Sequence, residues 1–441
     1  MQDLSQISGA RQQRALWLST FAFTTCFAVW MIFSIIGIQI KQDLGLNDTQ
    51  FGLLIATPVL TGSLIRLFLG VWSDQFGGRR VLLLVMLAAA AATWGLTWAR
   101  TYPQFLFGAL LVGIAGGSFS VGVAYVSKWF PLERQGTALG IFGAGNIGSA
   151  VTKLLAPMVM VAYGWMTVAK VWAVGLAVVG ILFYLLSEDD PSLAERRRTG
   201  VKPIPFRQQM EPLRNLQVWR FSLYYFFVFG AFVALALWLP RYLIGAYGMD
   251  VATAGMIAAA YSIPASLFRV VGGWLSDRWG ARKVMYWTFS VSVLCTFLLS
   301  YPDTTYTIRG IEGDKTFHLA IGLVPFTVLV FVLGFFMSLG KAAVYKHIPV
   351  YYPQHVGAVG GVVGMIGGLG GFVLPIAFGA MNDLVGVWTS CFMLLFVLVS
   401  IALVWMHFAI RRMERREFPQ IDRETDLPEI INAQRPIAGS R

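Results

Sequence analysis

Apolar runs of about 20 residues, each closed off by a short polar stretch, recur twelve times along the 441-residue chain. A run of that length crosses a bilayer as an α-helix. The pattern predicts spans at 16–38, 50–72, 80–98, 104–126, 136–159, 165–187, 218–240, 252–274, 283–301, 319–345, 356–378 and 384–410. A long polar stretch at 188–217 separates the first six from the last six. The expected fold is an all-α polytopic membrane protein with twelve transmembrane helices in two pseudo-symmetric six-helix bundles. Residues 1–187 form the N-terminal bundle, 188–217 a linker, 218–410 the C-terminal bundle and 411–441 a tail. Halves related by an axis along the membrane normal are a known transporter plan.

The halves share a motif. Ser63–Arg80 reads SLIRLFLGVWSDQFGGRR and Ser266–Lys283 reads SLFRVVGGWLSDRWGARK. Arg66 and Arg269, and likewise Asp74 and Asp277, stand 203 positions apart. Each copy places one Arg inside an apolar run, then a Ser-Asp turn with basic residues.

Composition narrows the picture. Hydrophobic residues make up 57 % of the chain and charged residues 13 %, too apolar a balance for a soluble protein. The net charge of +12 does not point to nucleic acid, because Lys and Arg crowd the loops on one side of the spans. By the positive-inside rule both termini and the linker are expected in the cytoplasm, with the 302–318 loop external. The expected location is the cytoplasmic (inner) membrane, with the lipid bilayer as surroundings. The apolar run from Leu16 is longer than a signal-peptide core and reads as an uncleaved first span. Cys26, Cys295 and Cys391 are scattered through apolar runs and show neither a disulfide framework nor metal-ligand spacing. The sequence offers no nucleophile–base set, metal cluster or phosphate loop, so no catalytic or metal-binding residue, no cofactor and no enzyme activity is expected.

The charges inside the spans carry the chemistry. All 22 Asp and Glu fall in tails, loops or loop edges, whereas Arg66, Lys153, Lys170, Arg269 and Lys341 lie within apolar runs. Intramembrane charge is costly and marks function by default. A core with only positive charge favours an anion. Arg offers a planar fork of donors suited to a planar oxyanion, and the matched pair Arg66 and Arg269 reads as the two walls of one site. The alternative for each Arg is snorkelling or a backbone carbonyl. The turns holding Asp74, Arg79, Arg80, Asp277, Arg282 and Lys283 read as a structural latch between spans, the Asp capping a helix start or pairing with a basic neighbour.

Spans five and eleven are glycine-rich, with Gly143 and Gly145 in one and Gly367 and Gly368 in the other. Close helix approach is the plain consequence. A narrowed cavity lined by backbone is the functional one. Asn146 is either an anion donor or interhelical glue. Tyr225 and Phe229, four apart in YYFFVFGAF, share a face and either sandwich a flat ligand, act as gates or face lipid; Phe119 has the same readings. Lys153, Lys341 and His347 are candidates for proton or charge coupling, against interfacial anchoring.

GVWSDQFGGRR and GWLSDRWGARK resemble the loop motif of the major facilitator superfamily. GIFGAGNIGSAV and GGVVGMIGGLGGFVLP resemble the two signatures of its nitrate/nitrite porter (NarK-type) family. The resemblance covers nearly the whole chain except the tails. It implies that Arg66 and Arg269 bind the anion, with Asn146 beside it and Tyr225, Phe229 and Phe119 in contact. GKAAVYKHIPVYYP and the SDQFGG loop look more like the family's proton-coupled nitrate importers than its exchangers. Nitrate or nitrite as substrate, protons as coupling ion, alternating access and a monomer are what this implies. An exchanger, a carrier of another small anion such as an organic carboxylate, and a non-transporting receptor are the other readings.

Overall fold

The computed structural model describes residues 8–130, 132–191, 214–351 and 356–417, with some side chains inside helices left undescribed, Asp74 among them. Twelve helical spans run α1 Gly9–Leu44, α2 Asp48–Phe76, α3 Gly78–Trp98, α4 Tyr102–Ser127, α5 Thr137–Tyr163, α6 Trp165–Leu186, α7 Leu216–Tyr247, α8 Val251–Trp279, α9 Ala281–Leu299, α10 Leu323–Tyr351, α11 Val356–Val385 and α12 Ser390–Glu417. The fold is thus a pair of six-helix bundles. Among the described residues, ten of the spans are long and apolar enough to cross a membrane on length and composition.

Which helices are central follows from where the apolar residues lie. α1 and α7, at matching places in the halves, are buried nearly all round. α6 and α12 bear exposed rows such as Val174, Val178, Ile181 and Leu185, or Val397, Ile401, Val404 and Phe408. Such faces suit contact with lipid rather than water.

The sequence repeat reappears in the backbone. α2 ends at Gly77, with φ +89° and ψ 135°, and α8 at Gly280, with φ +86° and ψ 135°. An L side chain rarely adopts that φ, so both turns need glycine. The turn therefore falls on the glycine and not on the Ser-Asp pair. Asp74 and Asp277 stand in the last helical turn, not in a loop.

The halves meet chiefly along α2 with α11 and α5 with α8. A Cβ on Gly52 would fall 2.3 Å from the Pro375 carbonyl oxygen, one on Gly379 2.1 Å from that of Asp48, and one on Gly255 2.3 Å from that of Lys153. At the end bearing the α1–α2 turn, charge reinforces this contact. Asn47 and Gln50 form a capping box at the start of α2, and Asp383 of α11 also accepts from the Thr49 amide at 2.7 Å. Arg241 of α7 and Lys41 of α1 each reach Asp48 at 3.2 Å, and the Asn382 side-chain amide donates to it at 3.2 Å. Asp250 caps α8 by accepting from the amides of Ala252 and Thr253 and from the Thr253 hydroxyl, which hold its carboxyl below the usual range.

Several boundaries differ from the hydropathy pattern. α1 and α2 are longer at their polar ends, α11 runs on to Val385, and α12 starts at Ser390. The 302–318 loop is an antiparallel hairpin, β1 Thr304–Gly310 and β2 Gly313–Leu319, with Gly310 facing Gly313 across the turn. Threonine and aromatic residues alternating through TTYTIRG and GDKTFHL favour paired strands, and α10 therefore begins at Leu323 and not at 319. Most of the 188–217 linker and of the tail lies outside the described residues. α7 begins at Leu216, inside the predicted linker, and α12 runs beyond 410.

Candidate functional site

Among the described residues five spans lose regular α-helical geometry within their length, α1 at Met31–Ile32 and four more whose irregular turns bear on one place. α4 tightens to a 3₁₀ turn at Gly113–Gly117 and α5 at Ala144–Ile147. α7 widens to a π-helix over Phe226–Ala231, and α8 breaks at Phe268. Non-helical backbone within a membrane persists where protein or a cavity covers it, and π segments often mark functional sites. These turns present Gly116, Asn146, Phe229 and Arg269.

Arg66 rises from α2 and is 6 % exposed. Its Nε donates to the Gly116 carbonyl at 3.2 Å and its Nη1 to that of Gly364, in the other half, at 3.4 Å. The guanidinium carbon lies 5.6 Å from the ring centroid of Trp30, 5.4 Å from that of Phe119 and 5.5 Å from that of Phe229. Arg269 is also 6 % exposed. Its guanidinium carbon is 5.7 Å from the Phe119 ring and 5.7 Å from the Tyr345 ring. Among the described residues it makes no hydrogen bond or ion pair, and its Nη1 is buried without a partner. The two cations cannot be further apart than the sum of their distances to Phe119.

The glycines set how close the walls come. A Cβ on Gly143 would stand 3.1 Å from the Arg269 guanidinium. One on Gly368 would stand 2.3 Å from Ser63 Oγ and 3.6 Å from Arg66 Nη1. Gly367 receives the Tyr225 ring, 2.2 Å from where its Cβ would be. Gly145 does not line the site: it packs on Phe23, Thr20 and Thr24 of α1. Asn146, one turn beyond Gly143, is 1 % exposed, and neither its oxygen nor its nitrogen has a partner among the described residues.

Aromatic rings close the faces. Tyr225 and Phe229 stack at 5.1 Å and 9°, and Tyr225 meets Tyr345 edge-on at 5.0 Å. Phe119 is shored by Phe23 at 5.4 Å and Phe142 at 5.9 Å. Trp30, Tyr345 and Ser63 belong to the site although no sequence signal marked them. Ser63 is one turn from Arg66 and Tyr345 one turn from Lys341, which was the available clue.

Energetics decide what this arrangement can hold. Burying an ion costs several kcal/mol even after relaxation. A cation–π contact returns about 0.5–2 kcal/mol. Arg66 has three rings and two carbonyls; Arg269 has two rings and no hydrogen bond. No described carboxylate pairs with either. The remaining donors and the unpartnered amide suit a small planar oxyanion gripped edge-on between aromatic faces.

The other candidates separate. Lys341 is fully buried, donates to the Ala265 carbonyl one turn from Arg269, and stands 3.6 Å from the Phe232 ring centroid. Lys153, also fully buried, donates to the Ser149 carbonyl at 3.2 Å and to Ser262 Oγ at 3.0 Å. His347 sits apart, its Nδ1 2.8 Å from the Ala343 carbonyl and its ring against Phe221 and Tyr351. Lys170 is not a buried charge: it is exposed on α6, 5.7 Å from the Trp94 ring. In the motif turns, Asp277 does not cap α9, whose N-cap Gly280 has no side-chain bond; it pairs with Lys346 of α10. Arg79 donates to the Tyr184 carbonyl at 2.9 Å, tying α3 to α6, and lies 4.0 Å from Asp189. Arg282 is half-buried on α9, and Arg80 and Lys283 are exposed. The Asp74 side chain lies outside the described residues.

Twelve spans in two halves around an intramembrane cationic site define a multi-pass membrane transporter, and comparison with known proteins agrees. The Major Facilitator Superfamily model matches residues 18–311 and 242–438. A probable nitrate/nitrite antiporter NarK1 of Thermus thermophilus is 41 % identical over 96 % of this chain and 98 % of its own. The nitrite extrusion protein of Bacillus subtilis (strain 168) is 31 % identical over 92 % and 98 %. A probable nitrate transporter NarT of Staphylococcus haemolyticus (strain JCSC1435) is 31 % identical over 89 % and 95 %. Among solved structures, a bacterial homologue of the human lysosomal transporter Spinster, inward-facing and unoccupied, superposes with TM-score 0.69 at 16 % identity, covering 93 % of this chain and 99 % of that one. The chain belongs to the major facilitator superfamily and, within it, to the nitrate/nitrite porter (NarK-type) family. It is a carrier and not an enzyme.

Proposed function

We propose that this protein carries nitrate, with nitrite as a second substrate of the same site, across the cytoplasmic membrane by alternating access, with Arg66 and Arg269 as the clamp. The observation that carries this reading is Arg269: a buried guanidinium without a hydrogen bond among the described residues, sharing the Phe119 ring with Arg66. Asn146, Tyr225, Phe229 and Phe119 complete the anion's surroundings, and Gly143, Gly367 and Gly368 keep the space small. The relatives' names, a nitrate/nitrite antiporter and a nitrate transporter among them, support the substrate. Binding one negative charge relieves the repulsion between two cations from opposite halves, so the loaded site favours closure and the empty one resists it. A ligand drives a state change only through such differential affinity.

On the positive-inside pattern the termini are cytoplasmic, and the Asp48 cluster is the external closure. The motif turns, with Asp277 on Lys346 and Arg79 on Tyr184, hold helix ends at the cytoplasmic face. One chain supplies both walls of the site, consistent with a monomer.

Proton symport is our reading of the coupling. The arginines stay charged, so the proton needs another carrier, and Lys341 is best placed, one helical turn from Arg269 through Ala265. Lys153 and His347 stand further off. The absence of a described carboxylate at the clamp favours the second reading, nitrate/nitrite exchange, which needs no proton carrier. Proteoliposomes separate them. Symport predicts nitrate uptake driven by an inward proton gradient without internal nitrite; exchange predicts uptake that requires internal nitrite and ignores the gradient.

A further inference from the structure

Asn146, Ser149 and Lys153 stand at i, i+3 and i+7 on α5 and so share one face. Arg269, Ser266 and Ser262 are spaced in the same way on α8, in the other half of the molecule. The helices run in opposite directions, and two observed contacts fix their register. Gly143, just below Asn146, lies against the Arg269 guanidinium, and Lys153 donates to Ser262 Oγ at 3.0 Å. The two strips therefore face each other as a polar ladder that starts at the clamp and climbs about 10 Å, seven residues of helical rise.

The ladder is buried, and its α5 strip is under-bonded, whereas Ser266 and Ser262 of α8 donate to the Ser262 and Ala258 carbonyls. Asn146 is 1 % exposed, and Ser149 and Lys153 are not exposed at all. Both amide atoms of Asn146 and the Ser149 hydroxyl lack partners among the described residues. Lys153 has two neutral oxygens and no described carboxylate. A tie between halves needs none of this: an apolar seam would hold them at less cost. The α5–α8 seam also closes tightly just above, where Gly255 meets the Lys153 backbone.

We propose that Lys153 is a second anion station, on the external side of the clamp. With the halves closed as here, its ammonium is bonded to Ser262 across the seam. When the halves part on that side the bond breaks, and the ammonium with the Ser149 hydroxyl receives an incoming small monovalent oxyanion. The anion then passes down the ladder to Asn146 and the arginines, and Lys153 returns to Ser262 behind it. The proposal rests on the nitrate-carrier reading and on the orientation given with it.

The test compares the two faces of the membrane. Nitrate uptake is measured in right-side-out and inside-out vesicles for wild type, Lys153→Gln, Lys153→Arg and Ser262→Ala. A cationic funnel raises local anion concentration tenfold or more. Lys153→Gln is therefore expected to raise the external KM about tenfold and to leave the internal KM within about twofold, with Lys153→Arg restoring most of the loss. Ser262→Ala keeps the ammonium and should leave the external KM unchanged or lower. If Lys153→Gln alters both faces equally or neither, or Ser262→Ala raises the external KM as much, Lys153 is only a tie and the station is wrong. Should Lys153→Gln fail to fold, Lys153→Met, read on the same two faces, decides in its place. Wild-type vesicles without saturable nitrate flux would overturn the carrier reading and the station together, whereas normal flux without the asymmetry overturns the station alone.

Discussion

Arg66 and Arg269 come from opposite halves of the chain, yet their guanidinium groups lie over one ring, that of Phe119, at 5.4 and 5.7 Å. An aromatic face is the one neutral surface that attracts both cations without cancelling either. Phe119 thus holds the pair near each other while leaving their donors for a ligand. Phe119→Ala should therefore weaken nitrate binding by about tenfold, one to two kcal/mol, while Phe119→Tyr stays near wild type. Titration of the purified protein with nitrate, followed by intrinsic tryptophan fluorescence, reads this directly because Trp30 lies on Arg66.

Asn146 separates a ligand donor from interhelical glue. Asn146→Asp changes almost no volume but places a carboxylate where the anion is expected. If Asn146 faces the anion, affinity should fall about a hundredfold, nearly 3 kcal/mol, because the new charge pairs with an arginine and repels the ligand. Glue alone would lower the melting temperature and leave binding intact.

Gly368 is a test of space. A methyl group there would press on Ser63 Oγ and approach Arg66 Nη1. Gly368→Ala should cost at least tenfold in transport through a displaced guanidinium, about 1–3 kcal/mol of overpacking. The double variant Gly368→Ala with Ser63→Ala should recover part of it, since contacting positions couple. Transport equally poor in single and double variants would show that the glycine acts elsewhere.

The paired arginines were legible in the sequence, and the family resemblance pointed to Asn146, Phe119, Tyr225 and Phe229 beside them; Trp30, Tyr345 and Ser63 were not legible. Two arginines inside apolar runs at one fixed offset stand out, because charge is rare there and a repeat does not arise by chance. Trp30 and Tyr345 have no such signal: aromatic residues are common in spans, and only helix rotation tells which of them turn inward. The π segment at Phe226–Ala231 changes that rotation locally, so that Tyr225 and Phe229 stack face to face rather than lying along one stripe. Pairings across halves are equally invisible, as Arg241 with Asp48, 193 positions apart, shows. The hairpin at Thr304–Leu319 leaves no mark in hydropathy, because its alternation is brief and charged residues interrupt it. Hydropathy alone placed Lys170 inside a span; the structure turns its side chain outward.

The Asp48 cluster should govern one end of the cycle. Asp48→Asn removes two ion pairs and Arg241→Gln removes one. Each partly buried charge-assisted contact contributes about 1.5–3 kcal/mol, so both variants should more often open the side that this cluster closes. In a cysteine-free background, a cysteine at Val59, buried against Gly371 across the seam, should react with an impermeant maleimide at least fivefold faster in either variant. Unchanged labelling would remove the cluster from the gate.

In the proposed site two guanidinium forks, one from each half, hold one nitrate. Isothermal titration of nitrate into the purified protein tests it most directly, with Arg66→Lys and Arg269→Lys beside wild type. Lysine keeps the charge and loses the planar fork. The account predicts single-site binding to wild type, weakened at least tenfold in each variant and lost in the double variant, all three folding with near-normal melting temperatures. Wild-type affinity in both lysine variants would contradict it.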